Sequence, residues 1–185
     1  MNNRCSECPK LFHIFGACPL NKPSFQLNFE VVLNIFSILI SMSAKALLGI
    51  LAIKWYLSKT IKNVIYIVLF LGCHLLCLAI KKFINDPRPK ESCSLGSGMP
   101  SNHVASVVSV LVYWYLNDPQ PFVFVWFSKR LELIVWSIYI LAVSFSRVYL
   151  GYHHIRQTLA GLIVGLMLGI LTHVYAERVM KLKLN

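Results

Sequence analysis

Three short strings in this chain combine residues that bind phosphate with residues that move protons. In chain order they are Lys81 with Arg88-Pro89, then Pro100-Ser101-Asn102-His103, then Ser146-Arg147 followed by His153 and Gln157. Arginine offers paired donors to phosphate oxygens, and histidine serves as a nucleophile or as an acid and base. The three strings together predict a site that binds phosphate and cleaves a phosphoester.

The cations and the start of the second string form the predicted phosphate site. Arg88 and Arg147 supply planar paired donors, and Lys81 adds a point charge. Ser101 and Asn102 lie where a helix is expected to begin, and free backbone N–H groups at such a start favour an anion. The alternative for any one of these cations is that it only extends to the membrane interface.

Two histidines are the candidates for the chemistry. His153 is the predicted nucleophile, because Gln157 lies four residues on, shares its helix face and accepts the ring N–H, which leaves a lone pair on the other nitrogen. His103 is the predicted acid that protonates the leaving oxygen and the base that then activates water. His154 is an alternative nucleophile whose spacing to Gln157 is one residue shorter.

The acidic content argues against a metal mechanism. Magnesium prefers carboxylate ligands, and the chain has seven acidic residues, of which Asp86 and Glu91 lie near the site in sequence. We therefore expect no metal and no other cofactor, and the lysine and arginines to neutralise the phosphate charge.

Long apolar runs must position these residues. The chain is 57% hydrophobic and 14% charged, and its apolar runs approach the length that crosses a bilayer. The predicted fold is all-α, a polytopic membrane bundle with about five transmembrane helices. They are predicted at residues 28–57, 61–84, 99–116, 131–148 and 155–175, the first as one tilted span or two shorter pieces.

The basic residues favour a membrane setting over nucleic acid. The net charge is +11, but the cations mainly flank apolar runs and no segment resembles a nucleic-acid surface. With five spans, three basic regions share one side, which the positive-inside tendency makes cytosolic. These regions contain Lys54, Lys59 and Lys62; Lys129 and Arg130; and Arg178, Lys181 and Lys183. All three strings then lie together at the opposite membrane face, with the N-terminus.

Residues 1–27 are predicted to be a separate lumenal segment preceding a membrane domain at residues 28–185. The segment is rich in Cys and Pro and lacks the sustained apolar core of a signal peptide. Cys5, Cys8, His13 and Cys18 have a zinc-knuckle spacing. Apolar residues inside that spacing disfavour zinc, so a disulfide or a loosely ordered interfacial segment are the alternatives.

The strings resemble the type-2 phosphatidic acid phosphatase superfamily. Its pattern is Lys-x6-Arg-Pro, then Pro-Ser-Gly-His, then Ser-Arg-x5-His-x3-Asp. Here the first string is complete, Asn102 stands at the usual Gly, and Gln157 stands at the usual Asp. The resemblance covers about residues 28–176. It implies an α-helical membrane bundle, metal-independent phosphate release and a phosphohistidine on His153.

Within that superfamily the chain is similar to the dolichyldiphosphatases, which also have Gln at the third-string acid position. The similar strings are Gly98-Met99-Pro100-Ser101-x-His103 and Ser146 to His153 followed by Gln157. This resemblance implies hydrolysis of a polyisoprenoid diphosphate, dolichyl diphosphate, at the lumenal face of the endoplasmic reticulum membrane, which recycles the glycan carrier. A phosphatase for other lipid phosphates and a catalytically silent lipid-binding relative are the alternatives. Chain-length preference and oligomeric state are left open.

Overall fold

Five α-helices account for most of the chain that the structure describes. The computed structural model describes residues 29–90, 92, 94, 96–118 and 128–182. The helices are α1 (Phe29–Ser58), α2 (Ile61–Ile84), α3 (Asn102–Asn117), α4 (Lys129–Tyr149) and α5 (Ile155–Leu182). The predicted all-α membrane bundle is confirmed.

Successive helices alternate in direction, which gathers the three strings at one end of the bundle. At one end, Arg88 after α2 donates to the Tyr152 carbonyl between α4 and α5, and the Ser101 amide before α3 donates to the Gln157 carbonyl in α5. At the other end, Lys62 near the start of α2 pairs with Asp118 after α3. The first end is called the site end below, and the second the opposite end.

Helix α3 is the centre of the bundle and packs closely along α5. Most of its residues are buried, including Trp114 with 0% exposure. Gly161, Gly165 and Gly169 recur every fourth residue on α5 and face the α3 backbone. A Cβ added at Gly161 or Gly165 would lie 2.7 Å from the Ser101 carbonyl oxygen or 2.6 Å from that of Ala105, so only glycine allows this approach.

The helix boundaries refine the predicted spans. The first apolar run is one continuous helix of 30 residues rather than two pieces. Of the described helices, four are long and apolar enough to cross a membrane, whereas α3 has 16 residues. The start of α3, predicted near residue 99, lies three residues later: Ser101 has extended backbone at the N-cap, so the helix begins at Asn102. Helix α5 extends seven residues beyond the predicted end at 175.

Some predictions fall on residues that the structure does not describe. Cys5, Cys8, His13 and Cys18, with the proposed lumenal segment at residues 1–27, lie outside the described residues.

Candidate functional site

The turn after α2 presents Arg88. Asn85 ends the helix in the left-handed conformation, with φ 46° and its N–H on the Lys81 carbonyl. The backbone carbonyl of Asp86 then accepts from the Gly98 N–H at 2.7 Å, which holds the loop against the segment leading to α3. Pro87 and Pro89 flank Arg88 and restrict its backbone.

The connection between α4 and α5 presents Arg147 and His153. Helix α4 ends beside Arg147, and Gly151 turns the chain with φ 70°, a conformation that glycine adopts without strain. The Arg147 carbonyl accepts from the N–H groups of Tyr152 at 3.0 Å and His153 at 3.1 Å. The nucleophile candidate and the arginine six residues before it are thereby held in one compact turn.

Tyr152 brings the two arginines together. Arg88 Nη1 donates to the Tyr152 carbonyl at 3.0 Å, and the Arg147 guanidinium lies over the Tyr152 ring at 4.4 Å from its centre. Arg147 Nη1 also donates to Ser41 Oγ on α1 at 2.6 Å, and Arg147 is 2% exposed. Arg147 is therefore held from α1 and from the connection between α4 and α5, and Arg88 from that connection.

A chain of hydrogen bonds determines which nitrogen of His153 carries the proton. Gln157 Nε2 donates to Asp86 Oδ2 at 2.5 Å and to the Pro87 carbonyl at 2.7 Å, and both partners only accept. Gln157 Oε1 must therefore face His153 Nδ1, 3.2 Å away, where it also accepts from the His154 N–H at 3.1 Å. His153 Nδ1 donates this hydrogen bond, so Nε2 of the neutral ring has the free lone pair.

Gly98 leaves the space that the Gln157 amide occupies. A Cβ at Gly98 would overlap the amide of Gln157, at 2.5 Å from its Cδ and Nε2 atoms. Because interiors are close-packed, a side chain there would displace Gln157 from both Asp86 and His153.

The electrostatic surroundings keep His153 neutral. Burial lowers its pKa well below the ordinary value of 6.5, and the positive charges of Arg147, Arg88 and Lys81 lower it further. Burial also lowers the pKa of Arg88, because desolvation penalises its charge. In the described part of the chain, neither Lys81 nor Arg88 has an acidic ion-pair partner, which makes this a strongly electropositive place.

The start of α3 brings His103 to the same place. His103 lies within electrostatic range of Arg147 and His153, and its Nε2 is buried with no hydrogen-bond partner among the residues described. Oγ of Ser101 and Oγ of Ser97 are likewise buried and unpaired within the described chain. The Ser101 N–H differs from the expectation of a free amide, since it donates to the Gln157 carbonyl.

Each of the two histidines lines a cavity. One of about 470 Å³ is lined by Pro89, Gly151 and His153, with residues around them. The other, of about 270 Å³, lies between α1, α2 and α3 and is lined by His103 and Asn102. Within the described residues no three His, Cys, Asp or Glu side chains form a group that could hold a metal ion.

Comparison with known proteins agrees with this geometry. The family model of the PAP2 superfamily matches residues 37–181. The chain belongs to the PAP2 superfamily. That match includes all three strings and every one of the five helices in part.

Individual PAP2 proteins resemble this chain in sequence and in fold. It is 33% identical over 99 residues to "Lipid phosphate phosphatase gamma" of Arabidopsis thaliana, covering 49% of this chain and 42% of that protein. It is 26% identical over 136 residues to "Phosphatidylglycerophosphatase B" of Bacillus subtilis (strain 168), covering 70% and 65%. The chain thus spans less than two thirds of either relative.

A solved structure confirms the fold. The crystal structure of a transmembrane PAP2 type phosphatidylglycerolphosphate phosphatase from Bacillus subtilis superposes with a TM-score of 0.66 at 23% identity. The match covers 90% of this chain and 84% of that one.

Sequence reasoning found the residues that cluster and missed those that hold them. The predicted residues that gather at the site end are Lys81, Arg88, Ser101, Asn102, His103, Arg147, His153 and Gln157. His154, the alternative nucleophile, is exposed. Asp86, Tyr152 and Ser41 were not assigned a role. Asp86 directly precedes the Pro-Arg-Pro run, which is a signal that it shares the site, whereas nothing in the pattern of α1 indicates Ser41.

Proposed function

We propose that this protein removes phosphate from a membrane lipid through a phosphohistidine on His153, without a metal. The observation that carries the proposal is the hydrogen-bonded chain His153–Gln157–Asp86, which frees Nε2 of a neutral imidazole beside the cations. A nucleophile held in one tautomer next to anion-binding groups is what phosphoryl transfer requires.

In the first step His153 Nε2 attacks phosphorus. Its lone pair forms the N–P bond as the P–O bond to the leaving oxygen breaks, and His103 gives that oxygen a proton. Lys81, Arg88 and Arg147 bind the phosphoryl oxygens, and Ser101 Oγ adds a donor. Asn102, which is 7% exposed at the start of α3, lines the side on which the leaving group departs.

In the second step water hydrolyses the phosphohistidine. His103 takes a proton from water, the new O–P bond forms, and the N–P electron pair returns to His153 Nε2. Gln157 has no charge to stabilise an imidazolium, unlike the Asp of a serine protease triad. Asp86 supplies that carboxylate one hydrogen bond further out, through Gln157 Nε2.

The proposed substrate is a polyisoprenoid diphosphate, dolichyl diphosphate, hydrolysed at the lumenal face of the endoplasmic reticulum membrane. Support comes from the resemblance of the second and third strings to dolichyldiphosphatases, including Gln157. The basic residues at the opposite end, such as Lys62 and Lys129, favour a cytosolic location for that end. The similarity to proteins named for lipid phosphate and phosphatidylglycerophosphate makes other lipid phosphates the second candidate.

A substrate panel tests the proposal. Purified full-length protein in detergent is given dolichyl diphosphate, phosphatidic acid and phosphatidylglycerophosphate with excess chelator, and released phosphate is measured. We expect release from dolichyl diphosphate at the highest kcat/KM. A higher kcat/KM for another lipid would reject the substrate, loss of activity on chelation would reject the mechanism, and no release from any lipid would indicate a silent binding protein.

A further inference from the structure

The cavity beside His103 contains a lysine that the phosphate site described above does not use. Lys45 lies in the middle of α1, partly buried, and lines the cavity of about 270 Å³ together with His74 of α2 and Asn102 and His103 of α3. An ionisable residue within an apolar membrane helix is costly, and such residues usually face a binding site or pathway.

The polar groups around this cavity include a lysine and two imidazoles. Asn102 Nδ2 donates to His74 Nδ1 at 3.4 Å, which leaves the proton of a neutral His74 on Nε2. Lys45 lies within electrostatic range of Arg147, His103 and His74. No acidic residue occurs among the described residues that line the cavity. The cavity is therefore complementary in charge to an anion.

Apart from Ser106, the remaining walls are apolar and reach the outer surface of the bundle. Leu48 of α1 and Phe70 and Leu71 of α2 line the cavity, and Leu71 is 44% exposed. His74 lies ten residues before the end of α2 at Ile84, which is about 15 Å along a helix axis. The cavity thus combines an anion site, recessed from the site end, with a hydrocarbon surface beside it.

The positions of the two histidines decide which part of a substrate this cavity receives. In-line displacement places the nucleophile and the leaving oxygen on opposite sides of phosphorus. His153 lines the larger cavity and His103 lines the one with Lys45. The leaving group therefore departs toward Lys45. The leaving group of a lipid monophosphate is an uncharged alcohol. The leaving group of a lipid diphosphate is a lipid monophosphate, which stays charged.

We propose that Lys45, assisted by His74, binds the leaving phosphate of a lipid diphosphate, and that this cavity selects diphosphate over monophosphate lipids. The inference rests on the proposed phosphatase function and deepens it. His153 Nε2 forms a bond to the terminal phosphorus. The bond between that phosphorus and the bridging oxygen breaks, and its electron pair stays on the oxygen. A proton from His103 then neutralises part of the charge on the leaving lipid monophosphate. The lipid monophosphate remains paired with Lys45 until it leaves between α1 and α2.

Two substrates with one hydrocarbon chain test the inference. Farnesyl diphosphate and farnesyl monophosphate are given to the full-length protein in detergent, and kcat/KM is measured for each. In Lys45→Met the ratio of diphosphate to monophosphate kcat/KM is expected to fall about 10- to 100-fold, the worth of a hydrogen bond to a charged group. The monophosphate value should change less than about threefold. Methionine keeps the apolar stem, so the bundle is expected to fold.

Matched variants separate this role from general electrostatics. Lys82→Met removes the same charge from an exposed position at the site end and should leave the ratio unchanged, while Lys45→Arg should restore most of it. An unchanged ratio in Lys45→Met, or an equal fall in Lys82→Met, would overturn the inference and leave the phosphatase function standing. Wild-type protein that hydrolyses the monophosphate but not the diphosphate would also overturn it. Hydrolysis of neither by wild type would instead remove the proposed function.

Discussion

The two ends of the bundle treat polar groups in opposite ways. At the opposite end they pair with one another: Lys129 Nζ donates to the Tyr115 carbonyl at 2.6 Å, Asn63 Nδ2 donates to Ser58 Oγ, and Trp136 Nε1 donates to Glu132 at 3.2 Å. At the site end, Arg88 Nε, Ser101 Oγ and His103 Nε2 are buried without a hydrogen-bond partner among the described residues.

The difference distinguishes groups that stabilise the fold from groups arranged for a reaction. A buried donor without a partner costs about 1–3 kcal/mol, so a bundle selected for stability alone would pair it. These three groups lie beside the cations and the two histidines. Phosphate oxygens, which only accept, would satisfy them together. Substitutions at the site end should therefore reduce turnover more than stability, and those at the opposite end should do neither strongly.

The largest effect is expected from His153→Ala. Loss of the Nε2 nucleophile should lower kcat by about 1000-fold or more, measured as phosphate release from dolichyl diphosphate. His154→Ala is the matched control, because its exposed side chain adjoins His153, and its kcat should stay within about threefold of wild type. Turnover in His153→Ala above one tenth of the wild-type value would reject the nucleophile.

Arg88→Gln should separate activity from stability. It removes a guanidinium proposed to bind phosphate, so kcat/KM should fall about 100-fold. It also removes a desolvated charge without an acidic partner in the described chain, so the Tm should stay the same or rise. Thermal unfolding in detergent measures the second effect. A clear fall in Tm would mean that Arg88 serves the fold rather than the reaction.

Asp86→Asn tests whether the charge behind Gln157 assists His153. Losing the carboxylate that accepts from Gln157 Nε2 should lower kcat about tenfold with little change in KM. The double variant Asp86→Asn with Gln157→Glu moves the charge one position toward His153 and should recover most of the rate.

Arg156→Gln is the matched control for Asp86. It removes the other partner of Asp86, an exposed side chain 2.7 Å away, and kcat should change less than about twofold. Equal losses in Arg156→Gln and Asp86→Asn, or no recovery in the double variant, would assign Asp86 to the loop structure alone.

The pH profile gives a smaller effect. His153 must be neutral to attack, and its folded pKa lies well below 6.5, so kcat/KM should hold as pH falls to 6.5 and decline only at lower pH. Two substrates with different phosphate pKa values separate substrate titration from that of His153. A decline shared by both substrates with its midpoint at or above pH 6.5 would contradict the assignment.

The smallest effect is expected at the opposite end, from Lys62→Gln. The Lys62–Asp118 pair spans 3.9 Å and the Lys62 side chain is 47% exposed, so unfolding stability should change by less than about 1 kcal/mol. The rate of phosphate release should match that of wild type. A loss comparable to that of Arg88→Gln would erase the contrast between the two ends.

Local spacing in the sequence predicted many of the candidate site residues but none of the residues that hold them in place. The local spacing in the sequence directly shows the pairs Lys81 with Arg88 and Arg147 with His153. Because successive membrane helices alternate in direction, the sequence also predicts that both pairs lie at one end of the bundle. The contact of Gln157 with Asp86 joins residues 71 apart, and helical periodicity carries no information about such a pair. The start of α3 was placed too early because Pro100 was taken as a first-turn residue, whereas the backbone of Ser101 is extended and the helix begins at Asn102.

Lys45 shows the same limit in a membrane helix. In the sequence it interrupts an apolar run and raises only the question of whether that run crosses the membrane once. Its place beside His74 and Asn102 depends on how α1 rotates against α2 and α3, which packing decides.

The glycine seam between α3 and α5 determines which parts of the protein can move. At Gly161, Gly165 and Gly169 the backbones of α3 and α5 are in contact, with no side chains between them that could rearrange. The two helices are therefore expected to move as one rigid unit. His103 lies in the first turn of α3 and Gln157 in the first turn of α5. The distance between His103 and Gln157, which contacts His153, is therefore preserved, and any helix movement that admits the proposed lipid substrate involves α1, α2 or α4.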